Sequence, residues 1–175
     1  SPMSQDRMAK YALHLWERNI LANRIIELPL AYMLCEGVTV SADNEQVKEW
    51  IEEFWSDPIN QMDIKLPKKA RQLSIFGEQC YPAFVNEISG EVRLGYLDPA
   101  NIAEVIRDPD NPEQAIGVVT TRNKKGQYLK YKIIINGPES VFTERTQTIR
   151  EGFTDGECFY FSVNDLSNGS RGRSD

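Results

Sequence analysis

Apolar residues recur at helical spacing in the first half of the chain and at alternating positions in the second. Met8, Tyr11, Ala12, Leu15 and Trp16 share one helical face. Ser4 supplies an N-cap, and Gln5 and Asp6 suit the positive end of the helix that follows. The pattern predicts a helix continuing through Asn19 to Glu27, bent or ended by Pro29, which lacks the donor an interior turn requires. The apolar run from Leu28 to Cys35 stops at Gly37 and is expected to pack inside the protein or its oligomer. After a short β-prone stretch, Gly37 to Val40, Asp43 and Gln46 form a capping pattern for a helix with Val47, Trp50, Ile51, Phe54 and Trp55 on one stripe. Trp50, Phe54 and Trp55 are therefore the candidate core or assembly anchors, and removing a fully buried Trp50 would cost about 3–5 kcal/mol. A further helix is predicted from Leu66 to Phe76, ended by Gly77.

From Cys80 onward the period changes to two. Tyr81, Ala83 and Val85 alternate with Cys80, Pro82 and Phe84, and Ser89-Gly90 separates them from Val92, Leu94 and Tyr96, which predicts a hairpin. Pro82 favours an edge or bulged position. Ile102, Val105 and Ile106 belong to a short turn or strand, and Asp108 to Pro112 is a turn-rich spacer. Ile116 to Thr121 and Tyr128 to Ile135 form a strand pair about Asn123 to Gly126, and Asn136-Gly137-Pro138 ends it. Val141 to Arg150 is polar and moderately β-prone, whereas Cys158 to Val163 is rich in β-forming aromatics. Three helices followed by six or seven short, mainly antiparallel strands indicate an α+β fold. The expected divisions are 1–3, a cloning remnant and start; 4–77, helical; 78–163, mainly β; and 164–175, a junction.

A chain of 175 residues with 41% hydrophobic content can bury an ordinary core. Its net charge of -6 does not favour long-range steering toward nucleic acid. Lys65, Lys68, Lys69 and Arg71 cluster locally, as do Lys124, Lys125, Lys130 and Lys132 near Tyr128 and Tyr131. These leave an autonomous nucleic-acid-binding module as the alternative function. Arg24 and Glu27 interrupt the apolar stretch from Ile20 to Cys35, so no membrane span is expected.

Catalytic, cofactor and metal chemistry find no complete motif. His14 is the only histidine, no Gly-x-Ser-x-Gly elbow accompanies it, and the glycine clusters match neither a phosphate loop nor a dinucleotide fingerprint. Cys35, Cys80 and Cys158 are widely spaced and are expected to be buried free thiols rather than zinc ligands. Asp108, Asp110 and Asn111 lack the remaining spacing of a calcium loop. The chain is read as a non-enzyme without cofactor or metal.

Several phrases, in this order, resemble the N-terminal region of tailed-bacteriophage portal proteins. They are Asn19 to Ile26 followed by Ala31 to Val40; Leu73 to Pro82 with Phe76-Gly77-Glu78; Gly90 to Ile106 with Leu97-Asp98-Pro99; and Asn168 to Asp175, which carries an Arg-Gly-x-Ser pattern. The resemblance implies the wing-side α+β region ending before the stem, with Arg171 and Arg173 as stem-junction residues. It also implies a structural role without ATP hydrolysis: a ring at the capsid vertex for genome packaging, ejection and head-tail connection. The implied partners are further portal subunits, terminase, capsid, neck or tail proteins and transported DNA. The implied location is the virion vertex, and the host cytoplasm during assembly, with no membrane partner.

Overall fold

The computed structural model describes residues 3–167, 169 and 171–175. The expected cloning remnant at Ser1 and Pro2, and Asn168 and Ser170 of the terminal phrase, lie outside the described residues. Helices α1 (Gln5–Arg18), α2 (Ile20–Leu34), α3 (Glu45–Ser56) and α4 (Met62–Phe76) precede the sheet. Its strands are β1 (Glu78–Val85), β2 (Val92–Leu94), β3 (Ile102–Arg107), β4 (Ala115–Thr120), β5 (Lys130–Ile133) and β6 (Glu157–Ser162). A fifth helix, α5 (Glu144–Glu151), lies between β5 and β6. The fold is α+β.

Asn19 divides what the sequence pattern joined. Its backbone N–H donates to Leu15 and closes α1, while its side chain accepts from Leu21 and Ala22 and opens α2. Conversely, Pro29 neither ends nor replaces α2, which runs on to Leu34. Ile26 and Leu30 flank the proline and are both buried in a cluster with Ile75, packed against Leu13, Trp16, Ala70 and Phe76. That packing holds the turns on either side of the proline together against a cost of about 3 kcal/mol. Asn44, not Asp43, caps α3, and Gly37 to Val40 is irregular rather than a strand. Helix α4 begins at Met62, earlier than expected, and ends at Gly77, whose φ of 73° suits a left-handed stop.

The sheet order is β2-β1-β6-β5-β4-β3. All neighbours are antiparallel except β5 and β6, which run parallel and are joined through α5. Pro82 lies in the interior strand β1, opposite Cys158. Its carbonyl accepts from Gly95 on the β2 side, between the Ala83–Leu94 pair and the Cys80–Leu97 bridge. The donor that proline lacks is thus lost where the β2 ladder is already interrupted, so no bulge is needed.

The segment expected to be β-prone before β6 is helical. Thr143 caps α5 by accepting from Thr146, Glu144 lies in its first turn and Arg150 in its last. Arg150 is buried; it donates to the Ile116 and Ile133 carbonyls, both at 3.1 Å, and pairs with both carboxylate oxygens of Glu139. It ties the crossover helix to β4 and β5. Capping and this one anchor outweigh the β propensity of the threonines. The main sheet core consists of Cys80, Ile102, Val105, Ala115, Val118, Ile133 and Cys158.

Candidate assembly surface and terminal strap

The last residues return along the junction of α4 and β1. Val163 N–H donates to Gly77 O, Arg173 N–H to Val163 O and Asp175 N–H to Ser74 O, while the Gln5 side chain donates to Gly172 O. Gly77 and Gly172 meet backbone to backbone, and a Cβ on either would overlap the other segment. This strap brings Arg171 to Glu78, which is fully buried. Arg171 Nε donates to Glu78 Oε2 at 2.6 Å and its Nη2 to Glu78 Oε1. The remaining donors reach the Ile102 and Pro99 carbonyls, each at 3.2 Å, and Tyr160 Oη donates to Glu78 Oε2 at 2.8 Å.

β1 and β3 are separated in the sheet by β6, β5 and β4, yet one guanidinium reaches the start of both. The sheet is therefore curled, and Arg171 staples β1, the strand next to one edge, to the opposite edge strand β3. A planar fork of donors suits this task because it satisfies a carboxylate and two carbonyls at once. Burial, the largest single effect, lowers the tendency of Arg171 to stay protonated, but the hydrogen bonds and charge of Glu78 together with Tyr160 outweigh it and the net shift is upward. Burial, followed by the charge of Glu78, pushes the Tyr160 hydroxyl up, keeping it a donor. Arg173 is exposed, and its side chain has no ion pair or hydrogen bond among the described residues. The two candidate junction residues thus occupy different environments.

Helix α2 presents a different surface. Ile26 and Leu30 face the core, while Leu21, Ile25, Leu28 and Tyr32 follow at alternating four- and three-residue spacing on the opposite side. Leu21 and Tyr32 are each 75% exposed, and Ile25 and Leu28 are more than half exposed. A helix apolar on both faces is normally covered on both. This one is covered on one face only. A groove of about 390 Å³ beside it, lined in part by Met8, Leu15, Ile25 and Ile75, extends the apolar surface toward the strap.

A second apolar surface lies at α3 and the β1–β2 hairpin. Trp50 is 41% exposed, stacks on Phe54 with ring centroids 5.7 Å apart and donates from Nε1 to Gly90 O at 3.2 Å. Trp50 is therefore not a fully buried core anchor, because the hairpin turn covers only one edge of its ring. Phe54 and Trp55 are half-buried. Buried Asn60 donates to the Phe54 and Val92 carbonyls and accepts from Leu94 N–H, fixing the end of α3 against β2. A groove of about 410 Å³ results, lined by Trp50, Phe54, Pro58, Ser89 and Val92 with Glu53, Asp57 and Glu91 at its margin. Val47 and Ile88 stand exposed on these same elements, Ile88 almost completely.

The basic clusters are dispersed by their contacts. Arg71 pairs with Glu27 through two hydrogen bonds, which hold that carboxyl below its ordinary value against the opposing effect of burial. Lys69 lies 3.9 Å above the Tyr81 ring and is pulled down, chiefly by burial. At the β4–β5 hairpin, Arg122 and Lys130 flank the exposed Tyr128 ring at 4.8 and 5.8 Å. Cys80 and Cys158 are buried, the Cys80 thiol being pushed up by its hydrogen bond to Cys158 and by burial, whereas Cys35 is exposed, contrary to expectation. It follows Tyr32 at the end of α2, where no second layer covers the helix. Among the described residues, no group of three His, Cys, Asp or Glu side chains could hold a metal ion.

Sequence reasoning had no signal for Glu78 as the partner of Arg171, because the two lie far apart in the chain and are joined only by sheet curvature. The α2 stripe was visible in its spacing but was split by the expected stop at Pro29. Neither protein-family models nor curated proteins give a match to this chain. Among the described residues, no helix is long and apolar enough to cross a membrane.

Proposed function

We propose that the chain is a structural assembly module, the wing-side part of a phage portal whose intact form is a ring at the capsid vertex. The observation that carries this reading is surface area. The chain exposes 11753 Å², whereas a compact monomer of 20.0 kDa exposes about 8,700 Å². The excess, about 3,000 Å², is more than the roughly 800 Å² per partner of one standard interface. A ring subunit has two neighbours and requires two such patches. The bare α2 face and the α3–hairpin groove supply two. The wing assignment within that class rests on the ordered phrases from Asn19 to Asp175.

The test is to express the protein with its native downstream sequence, then measure particle mass and image the particles. Closed rings of uniform subunit number are expected. Monomers at all concentrations would overturn the portal reading.

One observation favours the alternative of an autonomous nucleic-acid-binding module: Tyr128 is exposed between two cations, as a base-stacking platform would be. Its expected signature is binding of single-stranded oligonucleotide that weakens steeply with salt and is lost in Tyr128→Ala. No binding at low salt would remove it.

A further inference from the structure

We infer that the outer face of α2 in one copy docks into the α3–hairpin groove of the next, making a head-to-tail contact between two different surfaces. The inference deepens the assembly reading above and rests on it. Shape is the first ground. The α2 face is a convex ridge of Leu21, Ile25, Leu28 and Tyr32 at coiled-coil spacing, which inserts side chains into depressions of a partner. The groove beside Trp50 and Phe54 is concave, mixes apolar side chains with acidic ones, and lies where Asn60 fixes the end of α3 against β2. A ridge and a groove complement each other better than two ridges do.

Charge is the second ground. Arg24 is exposed on the N-terminal half of α2 and has no ion pair among the described residues. At the groove, Arg93 already pairs with Asp57 and Glu91, at 3.7 and 2.8 Å. Glu53, on the same margin, is exposed and has no ion pair among the described residues. It is the acid left for a guanidinium of a neighbouring copy. Such a rim contact sets orientation more than affinity. Area is the third ground, since the exposed excess is larger than one standard patch and leaves room for two per copy. Unlike surfaces give rings when the rotation closes, whereas a self-complementary ridge would stop at a dimer.

The contact is tested by complementation in the chain of 175 residues. Leu28→Glu with Tyr32→Glu removes the ridge, and Trp50→Glu with Pro58→Glu places charges on the lining of the groove. All four positions are exposed, and a serine version of each pair serves if a glutamate version fails to fold. By sedimentation velocity, the unsubstituted chain should form species larger than a monomer, and each variant alone should remain at 20.0 kDa. An equal mixture of the two variants should give a particle of twice that mass and nothing larger, because each retains the half the other lacks. Assembly of the groove variant alone, a mixture that stays monomeric, or an unsubstituted chain that never exceeds the monomer would each overturn the contact. Ring formation by the longer protein despite that failure would leave the portal reading standing. Complementation without any ring would instead remove the portal reading and keep the contact.

Discussion

The terminal strap and helix α2 both lie at the surface of the helical layer, but they are built on opposite principles. Around Arg171 nearly every polar group has a partner inside the chain: two carboxylate oxygens and two carbonyls accept from one guanidinium, and the Tyr160 hydroxyl donates to the same carboxylate. Along α2, a row of large apolar side chains has none. The first arrangement is complete in a single copy and serves the fold. The second leaves its apolar side chains exposed in a single copy, and in the assembly proposed above they gain stability only when another surface covers them.

The largest effect that separates them is on stability. Arg171→Ala leaves Glu78 charged, buried and unpaired, so urea denaturation should show a loss of about 3–5 kcal/mol. Leu28→Glu with Tyr32→Glu should change the same midpoint by no more than about 0.5 kcal/mol, since both positions are exposed. A comparable loss from the α2 pair would break the comparison. Glu78→Leu combined with Arg171→Met sharpens it: replacing both ions by apolar groups should recover most of the single-variant loss. If the double variant is as unstable as Arg171→Ala, then the carbonyls of Pro99 and Ile102, rather than the ion pair, dominate the staple.

Acid gives a smaller effect. Glu27 and Glu139 are held below the ordinary value of 4.5, in each case first by hydrogen bonds from an arginine and against burial. Their contribution is therefore present above that value and is lost as pH falls through the depressed one. Unfolding midpoints followed downward from pH 5 should show this loss, and Glu27→Gln should flatten it by less than about 1 kcal/mol for so exposed a pair. No change in slope would remove the Arg71–Glu27 pair from the account. The smallest expected effect is at Arg173, where substitution by Ala should alter the denaturation midpoint by less than about 0.5 kcal/mol. A larger loss would mean the strap depends on both arginines.

Much of the fold was legible where local chemistry decided it. Ser4, Gly77 and the Ser89-Gly90 turn act as their residue types suggest, and the runs of β-forming residues in β1, β4 and β6 mark strands. The failures have a common physical cause, which is that contacts distant in sequence overrule a local preference. Pro29 stays inside α2 because Ile26 and Leu30 are buried on either side of it. Thr143 to Glu151 is helical because Arg150 is anchored on β4 and β5. For the candidate site, the anchors of α3 were named, but their exposure was not predictable from a stripe that reads alike on a core helix and on an interface. Arg171 was singled out by its motif, whereas Glu78 became its partner only through the curl of the sheet.

The central claim is that the outer face of α2 is covered by a second copy. Hydroxyl-radical footprinting over a range of protein concentrations measures that directly, because Tyr32 is both reactive and exposed there. Tyr128, exposed on the distant β4–β5 hairpin, provides the internal reference. The account predicts that labelling of Tyr32 falls as concentration rises while that of Tyr128 stays constant, and that the variant carrying Trp50→Glu and Pro58→Glu shows no such protection. Labelling of Tyr32 that keeps pace with Tyr128 at every concentration would contradict it.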